Sequence, residues 1–289
     1  MHSAIKFSKN TACDMNEEIE YIAQLAHKLS PHRSVELFRN FLPRGYRMTT
    51  LSSVGDELIE SNLLVKICIG TLITLYDDLA DHPRLRDSKL LEDLYQIPFG
   101  RKNMCKSRRH PMYVALNHLW NIVFDHITTF PQYDLLRTAF EFDVMQFFNA
   151  NRYAEMITDA PFLFSSRESR NYLHHNMGIV IVGTIDLMCS PLMDINSIGF
   201  ARALFLEAQK AARIMNMITT VDREIKEGDV TNELVFAERR IEATSALQRE
   251  MSEIFKNIRS QNLTSFSIPD YVHGMESLFE LHKSLRGVI

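Results

Sequence analysis

The sequence predicts an all-α protein, a single helical domain, and three observations carry that reading. Glycine and proline together supply 19 of 289 residues, where about 12% is usual, so turns are few. Apolar residues recur at helical spacing, as in Leu204, Ala208, Ala211 and Met215, which is the pattern of a helix with a buried face. Strand-like alternation is almost absent. The best β candidate, Ile179–Val182, is four β-branched residues between Gly178 and Gly183, too isolated to build a sheet.

The elements follow in order. Helical segments are expected at Asn16–Leu29 and Ser34–Asn40, separated by Ser30-Pro31. A long apolar helix spans Asp56–Leu79 and stops near Pro83, because proline cannot continue a helix. Residues Arg101–Pro111 read as a basic loop. Further helices are expected at Met112–Thr128, Tyr133–Thr158, Arg167–Met188, Ile198–Lys226, Val235–Ile258 and Pro269–Leu285. Two glycines within the Arg167–Met188 segment, Gly178 and Gly183, each cost about 1 kcal/mol in a helix interior. A break or a close approach is therefore expected across Asn176–Gly183. No linker or repeat divides the chain.

Composition narrows the function classes. An apolar content of 46% argues against disorder. A net charge of −4 gives no reason to expect nucleic acid or an anionic membrane as the main partner. Cys13, Cys68, Cys105 and Cys189 lie far apart without a CxxC pair, so a disulfide framework or zinc site is not expected and a reducing, cytoplasmic setting fits better. The first residues lack the apolar core of a secretory signal. The most apolar run, Leu63–Tyr76, is 14 residues long and contains Lys66, which suits a buried helix rather than a membrane span.

Two polar constellations stand out. Asp77, Asp78 and Asp81 close the long apolar helix. Asp77 and Asp81 share a face, while Asp78 is turned roughly 100° away. Carboxylates at a helix C-terminus oppose its dipole and need a cation nearby. Such hard oxygens suit Mg²⁺, which keeps water ligands and binds carboxylates together with phosphate. Most acidic runs are solvated helix ends, but the apolar run before this one places it at the mouth of a core-lined space. Far downstream, Asn216, Thr220 and Glu224 repeat at four-residue spacing, so three oxygen donors share one face, with Arg223 beside them.

Together these constellations resemble the class I terpene synthases of bacterial type. Asp77-Asp78-x-x-Asp81 is similar to the family's aspartate-rich motif, and Asn216-x-x-x-Thr220-x-x-x-Glu224 to its second metal motif. Gly228…Asn232-Glu-Leu-Val235, Pro269–Met275 and Ser284-Leu-Arg286 resemble later family stretches. Met217 replaces an acid common after the Asn, and Gly287 stands where a terminal Tyr is usual.

The resemblance implies a bundle around a central apolar cavity. Asp77, Asp78, Asp81, Asn216, Thr220 and Glu224 would hold Mg²⁺, as a three-ion cluster, against a prenyl diphosphate. Arg170, Arg223 and Arg286 would bind the diphosphate. Residue count points to Arg170 as its sensor, with Arg167 behind it, whereas local similarity puts Asn176 in that place. A helix break at Gly178 would offer a carbonyl to a carbocation. Tyr76, Phe142, Phe147, Phe148 and Tyr153, with Asn176, are the candidate cavity wall, although aromatic stripes at helical spacing are more often plain core.

The implied reaction is Mg²⁺-dependent ionisation of farnesyl or geranylgeranyl diphosphate, followed by cyclisation or rearrangement to a hydrocarbon or alcohol. A chain-elongating prenyl synthase and a helical lipid-binding protein with a vestigial site are the alternatives. The first normally has a second aspartate-rich motif, and the Asn/Thr/Glu triad argues against it. The resemblance also leaves room for a homodimer.

Overall fold

The computed structural model describes residues 15–82, 84–101, 106–228 and 231–285. Among the described residues there are eleven α-helices and no strand. In chain order these are α1 (Met15–Leu29), α2 (Leu42–Thr49), α3 (Ile59–Asp81), α4 (Ser88–Leu94), α5 (Pro111–Ile127) and α6 (Tyr133–Asp159). After them come α7 (Ser166–Tyr172), α8 (Ile179–Met188), α9 (Ile198–Glu227), α10 (Arg240–Arg259) and α11 (Ile268–Ser284).

The apolar helix α3 is the axis of the bundle. It packs against α1, α2, α5, α6 and α8, which is why its sequence is apolar nearly all round. The helical stretch 56–81 is long and apolar enough to cross a membrane by length and composition, longer than the run read from sequence; 67% of its apolar window is buried among other helices. Its charged residue is accommodated inside. Lys66 Nζ lies 2.8 Å from Asp186 Oδ1 of α8 and 3.0 Å from the Thr50 hydroxyl, and Asn62 donates to the same carboxylate. A buried cation is tolerable only with such a set of partners.

The helix ends follow local chemistry. His82 leaves α3 in an extended conformation just before Pro83, as a residue preceding proline must. Asp87, Ser165 and Ser267 cap α4, α7 and α11 by accepting backbone N–H groups. The left-handed Gly228 ends α9. Pro43 and Pro111 sit in the first turns of α2 and α5, where a missing N–H is harmless.

The structure both bears out and revises sequence expectations. The break expected across Asn176–Gly183 is present: the Arg167–Met188 segment is two helices, α7 and α8, joined by a 3₁₀ segment Leu173–Met177, which begins earlier than expected, and Gly178 at φ +64°. As expected, the β-branched run Ile179–Val182 builds no sheet; it is helical, the first turn of α8, packed against α6 and α9 rather than paired edge to edge. Helices α2 and α4 were not expected, and α10 begins at Arg240 rather than Val235.

Candidate active site

Helices α3 and α9 build one cavity between them, with walls from the chain between α1 and α2, the 3₁₀ segment and α11. Its volume is about 270 Å³. Gly70, Ile73, Thr74, Asp77 and Asp81 line it from α3, one face read at three- and four-residue steps. From α9 come Ala212, Arg213, Met215, Asn216, Thr220, Arg223 and Glu224. On α3 the lining turns from small and apolar to acidic toward the C-terminus, whereas on α9 Arg213 stands between Ala212 and Met215 ahead of the polar set.

The two polar constellations therefore meet. Asp77 and Asp81 face the cavity from α3; Asn216, Thr220 and Glu224 face it from α9. Thr220 donates its proton to the Asn216 carbonyl at 2.7 Å, which leaves its oxygen lone pairs as acceptors. Asn232, fully buried, donates to the Met217 carbonyl at 3.0 Å and to Glu224 Oε2 while its own oxygen accepts the Leu234 N–H. That clamp fixes the Glu224 carboxylate.

Asp78 is not on the cavity wall. It is buried on the neighbouring face of α3 and bound by Arg33, Ser30 and His32. Burial alone would raise its pKa, but the Arg33 charge and the hydrogen bonds from His32, Arg33 and Ser30 hold the carboxyl well below the usual range. Its expected place among the metal ligands is thus corrected to an internal ion pair. The 100° turn that separates it from Asp77 dictates this.

Arg170 is corrected as well. It lies on the surface of α7, 58% exposed, paired with Glu233 at 3.3 Å and Glu250 at 3.7 Å, and Arg167 is exposed too. Asn176 occupies the cavity wall instead, and its amide nitrogen is 3.4 Å from Asp77 Oδ1. Arg223 lines the cavity, 3.5 Å from Glu224. Arg286 lies outside the described residues. Two cations that the sequence reading passed over are in the wall, Arg33 and Arg213. Arg33 Nη2 is 3.9 Å from Asp77 Oδ2, and Arg213 donates to the Thr231 carbonyl at 2.7 Å. Arg213 was legible by period, one turn before Asn216; Arg33, 45 residues from Asp78, had no local signal.

Neither a comparison with protein-family models nor one with curated proteins returns a match for this chain.

The expected aromatic wall is also corrected. Tyr76, Phe147 and Phe148 pack with Tyr95 on the far side of α3, and the Tyr76 hydroxyl donates to the Leu94 carbonyl. Phe142 is exposed on the outside of α6, and Tyr153 lies in a satellite cluster with Ala154, Ile157 and Leu173, its ring tilted against Tyr172. The aromatic residues that do line the cavity are Phe41 and Tyr46. Tyr46 fits because Gly70 has no side chain; a Cβ there would strike its hydroxyl.

Gly178 is the pivot of the break rather than a wall group. Its carbonyl accepts the Val182 N–H at 3.1 Å, and its neighbours Met177 and Ile179 line the cavity. At φ +64° only glycine is comfortable, and a Cβ would run into Ile73. Gln209 pins the break from α9, accepting the Val180 N–H and contacting His175 Nδ1, both at 3.1 Å.

Among the described residues no three His, Cys, Asp or Glu side chains form a closed metal cage. The donors that face the cavity are instead carboxylate, amide and hydroxyl oxygens divided between two helices. This set suits Mg²⁺ in type, because Mg²⁺ takes one or two carboxylates and completes its shell with water and phosphate oxygens.

Proposed function

We propose that this chain is a class I terpene synthase that ionises a linear prenyl diphosphate. The observation that carries the reading is the meeting of Asp77 and Asp81 with Asn216, Thr220 and Glu224 in the wall of one cavity. Each half is a weak sign alone. Their convergence across the fold, from helices far apart in sequence, is what a polyanion-and-metal site requires.

Arg33, Arg213 and Arg223, all in the cavity wall, bind and neutralise the anionic head. Asp77, Asp81, Asn216, Thr220 and Glu224 would hold Mg²⁺, which supplies Lewis acidity toward the leaving diphosphate. The apolar chain then lies along Ile73, Met177, Ile179, Met215 and Leu278, which exclude water from an allylic cation. Phe41 and Tyr46 offer ring faces to positive charge. Burial raises the Tyr46 phenol, so it stays neutral at any working pH.

The test is incubation with Mg²⁺ and the ten-, fifteen- and twenty-carbon diphosphates, reading diphosphate release and volatile products by gas chromatography. At least one substrate should give Mg²⁺-dependent release and a terpene. No release above the protein-free control with any of the three overturns the reading. Extension products appearing when an isoprenyl acceptor is added would replace it with chain elongation.

A further inference from the structure

At the end of the cavity away from Asp77 and Asp81, two side chains each rest on a glycine of a neighbouring helix. The face of α3 that lines the cavity runs from Asp81 and Asp77 through Thr74 and Ile73 to Gly70. The Tyr46 ring of α2 lies on Gly70, and Leu278 of α11 lies in the same way on Gly45 of α2. Both side chains line the cavity. One turn beyond Gly70 on that face of α3 is Lys66, buried and bound to Asp186. Its Nζ is 5.8 Å from the centre of the Tyr46 ring. It donates to the Thr50 hydroxyl at 3.0 Å, and that hydroxyl donates to the Tyr46 carbonyl at 2.7 Å. A buried ion pair thus holds Tyr46 from below, and beyond the ring the fold offers charge where an apolar chain needs apolar walls.

We propose that Tyr46 is the floor that fixes the length of chain the cavity takes, admitting a ten-carbon prenyl diphosphate and stopping a fifteen-carbon one. The inference rests on the reading of Asp77 and Asp81 as part of the head-group site. Gly70 is seven residues from Asp77, about 10 Å along the axis of α3. At about 1.2 Å per bond, an extended ten-carbon prenyl chain is about 9 Å long and each further isoprene unit adds about 5 Å.

Folding the longer chain does not relieve the conflict, because the volume is limited too. The 270 Å³ of the cavity holds about nine groups the size of a water, at roughly 30 Å³ each. A methylene is of similar size, so ten carbons already fill it. The ring occupies the gap that Gly70 leaves between α2 and α3, and a shorter side chain at position 46 would yield that space to a ligand.

Saturated n-alkyl diphosphates with Mg²⁺ test the floor by titration calorimetry, without any ionisation step. Inorganic diphosphate is the tail-free reference, and the series runs to about sixteen carbons. Wild-type affinity should rise about fourfold per methylene, the value of one buried CH₂, and level off near about eight carbons. Tyr46→Phe, which keeps the ring, should level off at the same length. Tyr46→Ala should carry the rise about four carbons further and Tyr46→Leu about two. Leucine keeps an apolar side chain on the core, so the test stands even where the alanine variant fails to fold. With prenyl substrates, the wild type should release diphosphate faster from the ten-carbon than from the fifteen-carbon chain, and Tyr46→Leu should narrow that ratio. A wild-type rise that continues to about sixteen carbons, or an unmoved plateau in the shortened variants, would overturn the floor. Binding of inorganic diphosphate that no alkyl tail improves would overturn it too, while leaving the head-group site standing. No Mg²⁺-dependent binding by any member of the series would overturn the reading of the site, and the inference with it.

Discussion

Arg33 holds Asp78 through Nε at 2.9 Å and Nη2 at 2.6 Å, and this pair divides the three aspartates at the end of α3 into one structural acid and two that face the cavity. The same guanidinium ties the chain after α1 to the end of α3, so the ion pair closes one side of the cavity. Breaking it should unfold rather than merely inactivate. Asp78→Asn is expected to cost about 3 kcal/mol in chemical denaturation, because it strands a largely buried cation. Removing both partners, with Arg33→Leu and Asp78→Leu together, should cost less than the two single changes added. Below its melting point Asp78→Asn should still be stabilised by Mg²⁺ plus diphosphate, whereas Asp77→Asn should lose that shift. An additive cycle, or loss of the shift in Asp78→Asn, would put Asp78 back among the proposed metal ligands.

Arg213 rather than Arg170 should recognise the anionic head. Arg170 lies on the surface among Glu233 and Glu250, and exposed pairs contribute little. Arg170→Ala is expected to change diphosphate affinity and turnover by less than about twofold. Arg213→Leu removes a cation from the cavity wall, worth about 1.5–3 kcal/mol for a charged hydrogen bond, so affinity should fall at least about tenfold. Titration calorimetry with Mg²⁺ and inorganic diphosphate distinguishes the two outcomes.

These assignments show which parts of the site were legible in sequence. Asp77, Asp81, Asn216, Thr220 and Glu224 could be read because each set lies on one helix, where spacing fixes the face. The rotation of Asp78 away from its neighbours came from the same arithmetic. Arg33 could not be read, because its partner is distant and the segment between α1 and α2 has no period that predicts where it turns. Phe147 and Phe148 went to the wrong side of α6 and α3 because periodicity tells that a face is buried but not against what. The break at Gly178 was visible as two glycines where a helix would not want them; its left-handed geometry and the Gln209 clamp belong to tertiary structure.

Gly178→Ala should destabilise the fold by about 2–3 kcal/mol. The left-handed backbone costs an L-residue roughly 1–2 kcal/mol, and the new methyl would collide with Ile73, a further cost of overpacking. The two contributions are separable. In an Ile73→Ala background the collision is gone but φ is not, so Gly178→Ala should cost about 1 kcal/mol less there. Equal penalties in both backgrounds would mean that Ile73 yields freely and the backbone alone matters.

The pH dependence of stability should reveal half-buried neutral histidines, His282 in the cavity wall and His175 beside Gln209. His282 lines the cavity, touches the Thr219 hydroxyl and lies tilted against Phe41, ring centroids 5.0 Å apart. Burial, and then the Arg223 charge, push it down to about 4. His175 beside Gln209 is pushed down to about 4 by burial and by His174. An unfolded histidine titrates near 6.5, so between about 4 and 6.5 the unfolded chain binds more protons than the folded one. Stability is then complete above about pH 6.5 and is lost as pH falls toward 4. The loss from His282 should be on the order of 2 kcal/mol between pH 7 and 4.5. His282→Gln should flatten that slope by close to one proton while leaving stability at pH 7.5 within about 1 kcal/mol. The window is distinct from that of Asp78, whose depressed carboxyl keeps its contribution until the pH drops below about 4, the unfolded value. Denaturant melts at pH 4.5, 5.5, 6.5 and 7.5 therefore separate the two groups, and an unchanged slope in His282→Gln would show that the ring is charged in the folded protein.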